Sequence, residues 1–200
     1  MKKTISKNTG GLMLIATLAL VITSCRKEQN VGLKSSSSDA DAVSSISIPD
    51  SLQVPAGNTL LLQAFARGVQ IYQVKRSAND PNVFVWVNIA PLATLYTKPN
   101  FTDHIIDHFA GPSWEFVKGP QKGEKVVAAK VQGVTPDPTA IQWLLLKAVD
   151  SLSTPGNQIT FVQRISTVGG LAPTTGADEA HLGQTDSIPY KASYLFYVKQ

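Results

Sequence analysis

From Pro49 to the C-terminus, apolar and polar side chains alternate in short runs. The clearest run is Tyr190–Lys199. Tyr190, Ala192, Tyr194, Phe196 and Val198 face one way, and Lys191, Ser193, Leu195, Tyr197 and Lys199 the other. A period of two is that of a half-buried strand. Leu60–Arg67 and Val69–Lys75 read as two strand-like halves around Gly68, where a bulge or bend is expected. Val83, Val85, Val87 and Ile89 share one face of a third segment, and Phe84 and Trp86 the other, the signature of a strand buried on both sides. Ala93–Thr97 and His104–Ala110 are shorter candidates. Trp114–Val117 and Lys125–Val131 flank a Gly/Pro turn and predict a hairpin. Ile159–Ile165 alternates, with Ile159, Phe161 and Ile165 on one side and Thr160, Val162 and Arg164 on the other.

One stretch asks for a helix. Asp137-Pro138-Thr139-Ala140-Ile141 has an Asp cap and a Pro at the first position. Trp143–Val149 after it fits a buried strand as well as a helix. We expect one helical turn and then a strand. Many short strands with Gly/Pro turns point to a mostly β, single-domain β-sandwich or partly open barrel with one or two short helical turns.

The N-terminus has a different character. Met1, Lys2, Lys3 and Lys7 precede the apolar run Leu12–Ile22, which is shorter than the roughly 20 residues of a membrane span. The run closes on Cys25, the only cysteine. Ile22-Thr23-Ser24-Cys25 resembles a bacterial lipobox, which implies cleavage before Cys25 and lipidation of its thiol. Residues 1–24 are then a lipoprotein signal peptide. Residues 25–48, with the Ser35–Ser38 run, form a flexible tether too poor in apolar surface to fold. Residues 49–200 are the β-rich domain. The expected localisation is the cell envelope, lipid-anchored through Cys25 on the extracytoplasmic side of a membrane.

Charge narrows the partners. The chain carries 18 Lys+Arg against 14 Asp+Glu; without Lys2, Lys3 and Lys7 the balance is 15 to 14. No basic stripe remains to bind nucleic acid. The loss of Cys25 to lipidation would also leave no thiol for a disulfide.

The stretch His108–Glu115 (HFAGPSWE) and the long loop Thr167–Gly183 carry the candidate chemistry. The chain has three histidines. His104 and His108 stand beside Asp103 and Asp107, and His181 follows Asp178 and Glu179. A His108–His181 pair with Asp107 or Asp178 would suit a divalent metal or acid–base work. The competing reading is a structural histidine bonded to backbone, since no H-E-x-x-H spacing is present. Ser113 lacks a G-x-S-x-G context, so a turn residue is expected there rather than a nucleophile. Trp86, Trp114 and Trp143 serve either as core or as walls of a ligand site. Gly169-Gly170 does not form a G-x-G-x-x-G turn, so no dinucleotide fingerprint exists, and no motif implies a cofactor.

Six phrases occur in order: VPAGNTLLLQAFARGVQIYQV (Val54–Val74), HFAGPSWE, AIQWLLLKA (Ala140–Ala148), FVQRISTVGGLAPTTG (Phe161–Gly176), AHLG (Ala180–Gly183) and PYKASYLFY (Pro189–Tyr197). Together they resemble the family called domain of unknown function 3455. The resemblance implies no established activity and supplies no catalytic residues. It also implies that the places of Gln73 and Ala177 are cysteines in many relatives. If those pair, the 167–183 loop docks on the first strands.

The expected function is therefore an envelope lipoprotein whose β domain binds an unidentified ligand or partner without catalysis. Candidate ligand-binding residues are His108, Trp114, Glu115, Asp178 and His181, between the 108–115 corner and the 167–183 loop. The alternative is a metal-assisted hydrolase using His108, His181 and Asp178. A purely structural envelope component is the third option.

Overall fold

The computed structural model describes residues 46–152 and 158–200. The expected signal segment, Cys25 and most of the tether lie outside the described residues. Eight strands follow in order: β1 (Asn58–Arg76), β2 (Phe84–Tyr96), β3 (His104–Phe109), β4 (Ser113–Phe116), β5 (Lys125–Val134), β6 (Trp143–Leu152), β7 (Ile159–Gly169) and β8 (Thr185–Lys199). Each pairs antiparallel with the next, and β8 returns to pair with β1, so the sheet closes into a barrel. Of the sandwich and the partly open barrel expected, the barrel forms, and it is closed. Closure gives every strand a neighbour on both sides among the described residues.

The alternation along each strand decides what lies inside. Ala64, Ala66 and Gly68 of β1 pair with Tyr194, Ala192 and Tyr190 of β8. His108 and Ile106 of β3 pair with Trp114 and Phe116 of β4. These positions point inward, and the core cluster joins them to Leu95, Val126, Leu146, Val162 and Phe196. Charged Arg67, Lys147 and Lys191 take the opposite parity.

Three expectations changed in detail. Gly68 is not a bend: β1 runs unbroken through it, and its bulges fall at Leu60/Leu62 and Ile71/Tyr72. The Val83–Ile89 and Ala93–Thr97 candidates are one strand, β2, crossing Pro91. The helix start at Asp137 is a turn. The Asp137 carboxylate accepts from the Thr139 backbone N–H at 2.8 Å and from its hydroxyl at 2.6 Å. Short polar side chains satisfy turns with the same bonds that cap helices, so sequence alone does not separate the two. The two 3-10 turns that do form are Asp50–Leu52 and Glu179–His181.

A small second layer covers part of the outer wall. Gln163, of outward parity on β7, is 1% exposed; its Nε2 donates to the Leu52 carbonyl at 2.6 Å, and it accepts from the Tyr197 hydroxyl at 2.6 Å. The turn around Leu52 is thus pinned to the outside of β7 and β8.

The connections alternate between the two barrel ends. One end carries the β1–β2, β3–β4, β5–β6 and β7–β8 links. The HFAGPSWE corner and the long loop after β7 therefore meet at one mouth.

Candidate functional site

Towards the other end, the interior is packed by Phe116, Val126, Val162 and Phe196. Towards the mouth it opens into a cavity of about 800 Å³. An eight-stranded barrel is wide enough for packed side chains or for one small ligand, and this chain divides its interior between them. The β5–β6 link forms part of the wall. Ile141 is fixed there, its N–H donating to the Gly169 carbonyl at 3.0 Å and its carbonyl accepting from the Thr167 hydroxyl at 2.5 Å.

His108 and Trp114 line the cavity and are 2% and 1% exposed. The His108 Nδ1 lies 2.8 Å from the Ser113 carbonyl. A carbonyl only accepts, so Nδ1 carries the hydrogen and Nε2 of the neutral ring keeps its lone pair. Burial pushes the imidazole down to about 4; the Ser113 carbonyl opposes this and the Arg164 charge adds to it. His108 is therefore neutral at pH 7, an acceptor in the wall.

One donor in the same wall lacks a partner. The Trp114 indole N–H is buried with no hydrogen-bond acceptor among the described residues. An unmet buried donor costs about 1–3 kcal/mol. The Gln70 carbonyl is occupied, accepting from Asn88 at 2.9 Å.

Two cations complete the lining. Arg164 occupies an inward position between Leu144 of β6 and Tyr194 of β8. Its Nε and Nη2 donate to the Gln142 backbone carbonyl at 3.1 and 3.0 Å. Lys130, at the exposed rim, donates from Nζ to the Gln142 side-chain oxygen at 2.8 Å. Neither has a carboxylate within ion-pair distance among the described residues.

Of the expected site residues, the cavity brings together His108 and Trp114 but not Glu115, Asp178 or His181. Glu115 has the outward parity of β4 and lies 3.8 Å from Lys125. Asp178 caps the second 3-10 turn, accepting from the His181 ring Nδ1 at 2.6 Å and its backbone N–H at 3.1 Å. That bond to the imidazole is the main reason the Asp178 carboxyl sits below its ordinary range. The loop does dock on the first strands. The Tyr72 hydroxyl donates to the Gly170 carbonyl at 2.6 Å, Gln73 Nε2 to the Gly183 carbonyl at 3.0 Å and Trp86 Nε1 to the Thr175 carbonyl at 2.8 Å. Its Asp178–His181 turn faces solvent and does not join His108. His104 pairs with Asp107 at 2.8 Å on the exposed side, and the Ser113 hydroxyl donates to the Ala110 carbonyl, closing the corner. Among the described residues no group of three or more His, Cys, Asp or Glu is placed to hold a metal.

Sequence reasoning missed Gln70, Lys130 and Arg164. The signal was available: each continues an inward row of apolar residues, as Ala128 leads to Lys130 and Val162 to Arg164. A polar side chain at such a position is either paired inside or faces a cavity.

No match to the chain was found among curated proteins or among solved structures. The model of the family described as "Protein of unknown function (DUF3455)" matches residues 55–198, which take in all eight strands but the outermost residue of β8. The chain belongs to that family.

Proposed function

We propose that the barrel is a binding domain for a small organic ligand and that a lipid on Cys25 holds it at a membrane of the cell envelope. The observation that carries the first part is the cavity at the mouth. Its walls are largely apolar, with a few fixed polar groups, and its size is that of ordinary ligand sites, roughly 300–1,000 Å³. The unpaired Trp114 N–H supports the same reading, since a buried donor is normally satisfied. The hydrolase alternative has less support, because His108 and His181 have separate partners and do not share the cavity.

The neutral fluorophore N-phenyl-1-naphthylamine tests the cavity. Its emission rises when it enters an apolar site. We expect saturable enhancement with the full chain and its loss in Leu144→Trp, whose larger ring fills the space beside Arg164. Absence of saturable binding, or equal binding in a folded Leu144→Trp chain, would remove the reading. The anchor rests on the lipobox-like run before Cys25. It predicts an acylated N-terminal Cys25 in the intact mass and release of Cys25→Ser protein from membranes.

A further inference from the structure

We propose that the ligand is an amphiphilic carboxylate, its head group held by Arg164 and Lys130 and its apolar body lying against Trp114, Leu144 and Leu146. This rests on the ligand-binding reading above and adds the charge of the ligand to it.

The first support is an imbalance. Arg164 and Lys130 line the cavity, and no Asp or Glu among the described residues does. The other titratable groups of the wall do not compensate. His108 is neutral, as argued above, and burial holds the nearby Tyr190 hydroxyl far above its ordinary range, so it stays protonated. Tyr72 is also raised, chiefly by burial. Among the described residues the cavity thus carries two positive charges and no negative one. A partly buried cation without a counter-ion is unfavourable, and pairing it with an anion relieves that cost.

The second support is geometry. Gln142 accepts from both cations, from Arg164 through its backbone oxygen and from Lys130 through its side-chain oxygen, so both head groups are tied to one residue of the wall. The Gln142 carbonyl uses only the Nε and Nη2 side of the guanidinium. The remaining N–H groups, including both on Nη1, have no protein acceptor among the described residues. A guanidinium fixed on one edge and open on the other is a pre-set fork for a carboxylate. Polar oxygens alone would fit a fully polar ligand, but the neighbouring wall does not. Leu144 and Leu146 share the inward face of Arg164, and the Trp114 ring lines the same cavity.

The test titrates the full chain with dodecanoate, 1-dodecanol and dodecyltrimethylammonium, each below its aggregation concentration, by isothermal calorimetry. We expect dodecanoate to bind about tenfold or more tightly than 1-dodecanol, the size of one charge-assisted hydrogen bond in a partly dry site. The cationic amphiphile should bind weakest. Arg164→Gln should abolish the preference for the acid over the alcohol, and Arg164→Lys should keep part of it. Lys130→Gln, at the exposed rim, should reduce the preference several-fold and does not depend on the buried position tolerating a change. Equal binding of acid and alcohol by the unmodified chain, or a preference that survives both Gln variants, would overturn the proposal while leaving a ligand-binding cavity. Failure of all three amphiphiles and of the neutral fluorophore would overturn the cavity reading itself.

Discussion

The imidazole of His108 lies flat on the indole of Trp114, with ring centroids 4.5 Å apart and planes within 2° of parallel. Tyr194 meets both rings edge-on, at 5.3 and 5.7 Å. This aromatic stack sits where the packed half of the barrel gives way to the cavity, so His108 is structural and cavity-facing at once.

Its titration gives the first prediction. The folded-state pKa of about 4 lies below the ordinary 6.5. Between those values the unfolded chain binds a proton that the folded chain refuses. The contribution to stability is complete above the higher value and is lost as pH falls towards the lower one, about 3 kcal/mol in all. His108→Phe keeps the stack and removes the titration. Urea unfolding at pH 7 and pH 4 should show a smaller loss in the variant than in the unmodified chain. Equal losses would mean that His108 is not buried neutral.

Gly68 supplies the second. A Cβ at this inward position of β1 would overlap the Leu92 carbonyl and Ala93 of the neighbouring β2, and backbone does not yield as a side chain does. Gly68→Ala should cost about 3 kcal/mol, or prevent barrel closure. Chemical denaturation measures it. A loss below 1 kcal/mol, roughly that of an ordinary surface change, would contradict the close approach.

How much of this was readable in the chain follows from what each residue senses. The alternation of Tyr190–Lys199 is local, and β8 forms with the expected face inward. The hairpin around Lys118–Glu124 is local too, and β4 and β5 pair there. Gly68 was visible as an exception, but a glycine in a strand reports equally a bulge or a close neighbour, and only pairing with β2 tells which. On β7 the bulge between Ile159 and Phe161 changes the parity, so Ile159 and Val162 both join the core although strict alternation separates them. His181 lay outside any pattern. Where a long loop places its side chains depends on bonds such as Gln73 to Gly183, which no periodicity records.

Gln163 gives the third prediction. It bridges the Leu52 carbonyl and the Tyr197 hydroxyl while almost wholly buried on the outer wall. Gln163→Leu keeps the volume but leaves both partners unmet, at about 1–3 kcal/mol. Hydrogen exchange should quicken over residues 46–56 more than in the barrel strands. Uniform quickening would show that the segment is not pinned by this side chain.

The fourth concerns the docked loop. Trp86→Phe removes the donor to the Thr175 carbonyl, and Arg76→Ala removes the 3.0 Å ion pair to Glu179. Both bonds lie at the exposed side, so each should change global stability by only about 1 kcal/mol or less. Limited proteolysis should nevertheless cut residues 171–183 faster in the double variant. Unchanged cleavage would show that other contacts, such as Tyr72 to Gly170, hold the loop alone.

The central claim is that a ligand enters the barrel and lies against Trp114. The most direct measurement is contact quenching of that residue. In a Trp86→Phe/Trp143→Phe chain, Trp114 is the only remaining indole. Titration with 1-bromonaphthalene, whose bromine quenches at contact, should quench its emission saturably. Emission that stays constant, or falls only linearly as in collisional quenching from bulk solvent, would contradict the account.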